Sequence, residues 1–187
     1  MKSTWLTELR GHLLLWFLLQ LFVSTFISFD MLNNYTSWEE NIELSNPLEN
    51  NAVYNIALLS AMFTVISSAF INLTTVVIIL GMVYKLQKRW VIRAINQNVY
   101  VKGSQYILYG LMLSEVLKYF CVLLGEFSFS EWEYLRQLIN LSCVCLGCVL
   151  GSYVWFSMRN QTNQIGIKAI MLTTVGIALC LGSISFM

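Results

Sequence analysis

The feature that most constrains this chain is a set of five apolar runs, each about as long as a bilayer is thick. They cover residues 12–29, 56–84, 105–125, 138–156 and 167–187. A hydrocarbon core of about 30 Å needs roughly 20 helical residues to cross it. Lipid offers no hydrogen-bond partners, so a spanning segment satisfies its own backbone as a helix or joins a closed barrel. Barrel strands alternate polar and apolar residues over about ten positions, and these runs do not. Only 11% of the 187 residues are charged, whereas 57% are hydrophobic. A soluble domain carries about 25% charged residues. The expectation is an all-α, polytopic transmembrane bundle of five spans, a single membrane domain over residues 1–187. Run 56–84 is long enough to tilt or to extend beyond the lipid. The lone proline, Pro47, is expected in a loop.

Charge fixes the expected orientation. Lys2 and Arg10 precede the first run. The stretch 30–55 carries Asp30, Glu39, Glu40, Glu43 and Glu49 without a base, and 85–104 carries Lys85, Lys88, Arg89, Arg93 and Lys102 without an acid. Glu126, Glu131, Glu133 and Arg136 lie between the third and fourth runs, and Arg159 and Lys168 between the fourth and fifth. Nine bases thus fall on one side of the membrane and Arg136 on the other. Basic loops stay in the cytoplasm. The N-terminus is then inside, the C-terminus outside, 30–55 an acidic outer loop and 85–104 a basic inner loop. Lys2, Arg10 and the first run also resemble a signal peptide. The run is long for one and no A-x-A-like site follows it, so we read it as a retained anchor.

Two charges lie deep inside a run. Glu115 and Lys118 fall near the middle of 105–125, three residues apart, so they share one helix face. Side chains lean toward a helix's N-terminus, which tips Lys118 toward Glu115. Burying a charge there costs about 2.5–3.5 kcal/mol on insertion scales. A self-compensating ion pair limits that cost. A polar pathway, a proton-coupled site or a docking point for another subunit would exploit it. Asn72 and Gln20 are further polar residues within runs. Ser60, Thr64, Ser67 and Ser68 form a hydroxyl stripe on the second. Interhelical hydrogen bonding is the preferred reading of these, and a hydrated cavity shared with Glu115 is the sharper one. Asn72 joins Glu115 and Lys118 as the candidate intramembrane polar site.

Gly147 and Gly151 form G-x-x-x-G, and Ala178 and Gly182 repeat the small-x-x-x-small pattern. Such pairs let helix backbones approach closely; packing within the chain is preferred to a homodimer. Cys143, Cys145 and Cys148 sit within an apolar run, where cysteine behaves as a small hydrophobe. With a single histidine in the chain, no metal site and no cofactor are expected. His12 is expected hydrated at the membrane rim beside Arg10. The six tryptophans, Trp5, Trp16, Trp38, Trp90, Trp132 and Trp155, read as an interfacial aromatic belt. The basic stretch 85–102 suits anionic lipid, and no nucleic-acid partner is expected. No P-loop, Rossmann, H-E-x-x-H or G-x-S-x-G pattern occurs, so an enzyme is not expected.

Several short patterns resemble the YdgK-like family of small bacterial inner-membrane proteins, a domain of unknown function. They are Arg10-Gly11-His12-Leu13-Leu14, Tyr84-Lys85-Leu86-Gln87-Lys88-Arg89, Leu135-Arg136-Gln137-Leu138, and Tyr153 with Ser157 and Arg159. The resemblance covers about residues 10–163. His12 stands where the family has Trp, and Ser152 where it has Pro. The resemblance implies a helical core in a bacterial inner membrane and carries no activity. Small size and the lack of a catalytic pattern then favour an accessory, assembly or immunity-type protein. Such a protein acts through a membrane-protein partner or a homo-oligomer. A small oligomeric transporter or channel built on Glu115, Lys118 and Asn72 is the alternative.

Overall fold

The computed structural model describes the backbone of residues 5–39, 47–90, 97–125 and 129–157, and the side chains of 5–30, 54–85, 99–125 and 131–154. Four α-helices follow one another: α1 (Trp5–Glu39), α2 (Pro47–Trp90), α3 (Gln97–Leu124) and α4 (Phe129–Ser157). No strand occurs among the described residues. Each helix contains a stretch long and apolar enough to cross a membrane: Trp5–Asp30, Tyr54–Lys85, Val99–Leu124 and Glu131–Val154. The chain is a multi-pass, all-α membrane protein. The expected run 167–187, with Ala178 and Gly182, lies outside the described residues.

Every helix is longer than its apolar run. Helix α2 has 44 residues and α1 has 35, about 66 and 52 Å at 1.5 Å per residue. Apolar length marks only the part in lipid. Polar residues continue the helix into water because helical hydrogen bonding does not require an apolar side chain. Most of the expected loops 30–55 and 85–104 is therefore helical. Pro47 is not in a loop but is the first residue of α2. There its missing N–H costs nothing and its fixed φ suits the first turn. Helix α4 begins at Phe129, nine residues before the expected 138, which brings Glu131, Glu133 and Arg136 onto the helix. Helix α3 ends where Gly125 N–H donates to Cys121 O at 3.1 Å.

The helices run alternately up and down. Trp5 of α1 meets Tyr84 of α2 and Tyr100 of α3, with ring centroids 5.9 Å apart in both pairs. Phe17 lies 5.1 Å from Phe70, and Phe26 lies 5.0 Å from Tyr119. One end of the bundle thus gathers the starts of α1 and α3 with the ends of α2 and α4. It carries Arg10, Lys85 and Lys102. The opposite end carries Asp30, Glu131 and Glu133. Helices α3 and α4 form the closest pair, α1 packs on α3, and α2 packs mainly on α1.

Glycine makes the α3–α4 approach possible. A Cβ on Gly110 would stand 2.6 Å from Cys143 O, and one on Gly151 would stand 2.6 Å from Gly103 O. A Cβ on Gly147 would meet Tyr106 O at 3.0 Å and Gly110 Cα at 3.1 Å. The G-x-x-x-G pair of α4 is therefore seated on Gly103 and Gly110 of α3, within one chain. Large apolar side chains cover the outside; Phe63 is 75% exposed and Ile56 is 68% exposed. A water-soluble surface rarely presents so much apolar area, whereas a lipid-facing one does.

Candidate functional site

The interior divides along its length. Toward the basic end it is closed by an apolar cluster that includes Leu9, Leu13, Val76, Leu80, Val83, Tyr100, Ile107, Leu108 and Val144. Tyr100, fully buried, donates its hydroxyl proton to Leu80 O at 2.5 Å and ties α3 to α2. Toward the acidic end the four helices part around a cavity of about 430 Å³. Trp16, Gln20, Ser24 and Ser28 come from α1, and Thr64, Ser68 and Asn72 from α2. Ser114, Glu115 and Lys118 come from α3, and Trp132, Glu133, Arg136 and Asn140 from α4.

Glu115 and Lys118 sit in this cavity wall, 4% and 7% exposed. Lys118 Nζ donates to Glu115 Oε1 at 2.6 Å. The contact has the i, i+3 spacing and the backward lean of the lysine expected on a helix. One carboxylate oxygen is thus occupied. The other, Oε2, is buried without a hydrogen-bond partner in the protein. Trp16 Nε1, Gln20 Oε1 and Arg136 Nε are in the same condition. These four line the cavity, whereas a fifth such atom, Ser104 Oγ, is buried outside it. Buried polar atoms are nearly always hydrogen-bonded, so a space faced by two orphaned donors and two orphaned acceptors can accommodate water or another polar guest. The centre of Val99–Leu124 falls between Leu111 and Met112. Glu115 lies about 5 Å beyond it toward the acidic end, still well inside a hydrocarbon core about 30 Å thick.

Asn72 and Gln20 join Glu115 and Lys118 as walls of one cavity. The hydroxyl stripe behaves otherwise than the interhelical reading supposed. Thr64 Oγ1 donates to Ser60 O at 2.9 Å and Ser68 Oγ to Val65 O at 3.2 Å. Thr74 and Thr75 likewise bond the carbonyls of Phe70 and Ile71 at 2.8 Å. These hydroxyls satisfy themselves on their own helix, and their oxygens still face the cavity at Thr64 and Ser68.

Three expectations need correction. Arg136 is not a loop residue, because α4 starts early and carries it into the cavity wall. Trp16 and Trp132 do not belong to an interfacial belt. They are 3% and 5% exposed and face the bundle interior, while Trp5 packs against both Tyr84 and Tyr100. The side chains of Trp38, Trp90 and Trp155 lie outside the described residues. His12 is not at the rim beside water alone: it lies two turns into α1, and its Nε2 shares a 3.1 Å hydrogen bond with Tyr109 Oη. Cys121, Cys143, Cys145 and Cys148 are free thiols, and Cys143 and Cys148 are buried.

Sequence reasoning missed Arg136, Asn140, Trp16 and Trp132 as cavity residues, and Gly103 and Gly110 as the seats for α4. The last two had a signal, a seven-residue spacing that repeats one helix face.

Fold and site together define a membrane-embedded helical bundle with a polar, charge-balanced cavity. Compared with protein-family models, curated proteins and solved structures, the chain matches none.

Proposed function

We propose that this protein binds a small polar solute within the membrane, as a transporter or as the solute-binding subunit of one. The observation that carries this reading is the convergence of four orphaned buried polar atoms from α1, α3 and α4 on one cavity. A cavity of this size falls in the range of small-molecule sites, roughly 300–1,000 Å³. Intramembrane ionisable residues belong to pathways and binding sites far more often than to lipid contacts. The apolar cluster between Glu115 and the basic end closes the cavity on that side, so water reaches it from the acidic end. Accessibility of single cysteines tests this in the full chain, with its five native cysteines replaced by alanine. A membrane-impermeant maleimide should label Gln20→Cys and Asn140→Cys from the acidic side and spare Leu108→Cys. Failure to label either cavity position from either side ends the reading.

The accompanying topology is five spans in a bacterial inner membrane with the N-terminus in the cytoplasm. The alternating helix directions support the sidedness, since they bring Arg10, Lys85 and Lys102 to one end. Reporter fusions after Lys88 and Glu40 should report opposite sides; the same side for both removes the assignment. The membership suggested by the YdgK-like patterns belongs to the same proposal and adds no activity.

An accessory role through a membrane-protein partner is the second reading. What favours it is that α2 rests mainly on α1 and leaves its side toward α4 without close helix packing among the described residues. A partner helix seated there would close the cavity laterally. Extraction in mild detergent should then recover a stoichiometric partner or a homo-oligomer, and a monodisperse monomer that moves solute would dismiss it.

A further inference from the structure

The charges around the cavity say which solutes it suits. Glu115 and Glu133 are balanced by Lys118 and Arg136, so the wall is neutral in sum. A neutral wall in a low-dielectric bundle leaves a bound monovalent ion as an uncompensated net charge. The wall is nonetheless divided. Glu115 Oε2 and Gln20 Oε1 are unengaged acceptors on α3 and α1, and Arg136 Nε is an unengaged donor on α4. Helices α3 and α4 run antiparallel with Gly110 beside Gly147. Arg136, eleven residues before Gly147, therefore lies nearer the mouth than Glu115, five residues after Gly110. The acceptors are deep and the guanidinium is shallow. Trp16 Nε1 adds a donor at the floor, suited to a hydroxyl or carbonyl oxygen.

We propose that the cavity takes a small zwitterion, its ammonium on Glu115 and Gln20 and its anionic group on Arg136. This rests on the reading of the cavity as a solute site and names the solute's chemical class. An ammonium donates and carries positive charge, which answers both deep acceptors. A carboxylate or sulfonate accepts and carries negative charge, which answers Arg136 through charge-assisted hydrogen bonds. Lys118 stays paired with Glu115 and holds that carboxylate in place.

Matched probes isolate the charge pattern. β-Alanine carries both charges, propionate only the negative one, propylammonium only the positive one, and glycerol neither. The full chain in lipid nanodiscs is equilibrated with isotope-labelled β-alanine, and the others are added as competitors. Saturable binding of β-alanine at or below about 10 mM is expected, with propionate, propylammonium and glycerol displacing it at least about tenfold less well. Arg136→Gln and Glu115→Gln should each weaken it by about tenfold or more, whereas Phe63→Leu on the lipid face should leave it unchanged. Where Glu115→Gln fails to insert, Gln20→Leu takes its place. Propionate or propylammonium binding as well as β-alanine overturns the proposal, as does glycerol displacing it equally or no saturable binding at all. If Gln20→Cys and Asn140→Cys still label from the acidic side in that case, only the zwitterion is lost and the solute cavity stands. If neither labels, both fall.

Discussion

The two ends of the bundle interior solve the same burial problem in opposite ways. At the basic end, Leu9, Leu80, Tyr100, Ile107 and Leu108 are all 1% exposed or less; the Tyr100 hydroxyl donates to Leu80 O, and among the described residues Ser104 Oγ is the single buried side-chain polar atom left there without a partner. At the acidic end, Gln20, Glu115 and Lys118 are also buried, yet polar atoms on Trp16, Gln20, Glu115 and Arg136 remain without partners in the protein. Lipid cannot supply those partners. A purely structural interior would resemble the first end throughout, because apolar packing is the cheaper way to fill a bundle. The proposed solute site rests on that difference.

The largest test breaks the cavity's internal balance. Glu115→Gln leaves Lys118 buried without its partner, and removing one member of a buried pair costs on the order of 3 kcal/mol. Unfolding in mixed micelles titrated with SDS should show that loss. The double variant Glu115→Gln with Lys118→Met should recover most of it, since neither charge then remains. A double variant as damaged as the two singles combined would mean the pair is not the self-contained unit its 2.6 Å contact indicates.

A second test strikes the seam that the two ends share. Gly110→Val places methyl groups where Cys143 O stands 2.6 Å from even a Cβ. Overpacking of this kind costs about 2 kcal/mol, measured in the same titration. Gly11, with nothing within 4 Å of its added Cβ, serves as control: Gly11→Ala should not destabilise.

Two smaller effects sharpen the contrast. Tyr100→Phe removes the α3–α2 hydrogen bond at the sealed end for about 1 kcal/mol. It should slow neither insertion nor cysteine labelling of the cavity. Thr64→Val should change stability by less than about 0.5 kcal/mol, because the hydroxyl already bonds Ser60 O within α2. A larger loss would assign that hydroxyl an interhelical role.

Residue type and spacing made Glu115 and Lys118 legible as a pair before any tertiary contact was known. An acid and a base three apart in an apolar run must share a face, and lipid forces them together. Gln20 and Asn72 were legible as polar intrusions but not as neighbours of that pair. Arg136 was hidden by the loop reading: charge next to Glu131 and Glu133 looks like solvent-exposed chain until α4 is seen to begin at Phe129. Trp16 and Trp132 were hidden by habit of type, since tryptophan near a run's end fits an interface as well as an interior.

The sequence by itself determined that these segments are helices and roughly where lipid surrounds them, because backbone groups in hydrocarbon have only themselves to bond. Only the tertiary structure decided which way each helix is rotated about its own axis. In water an apolar stripe announces the buried face. In lipid both faces are apolar, so the rotation is set by close packing such as that of Gly103 and Gly110 under α4. That rotation turns Trp16, Gln20, Glu115 and Arg136 toward one space.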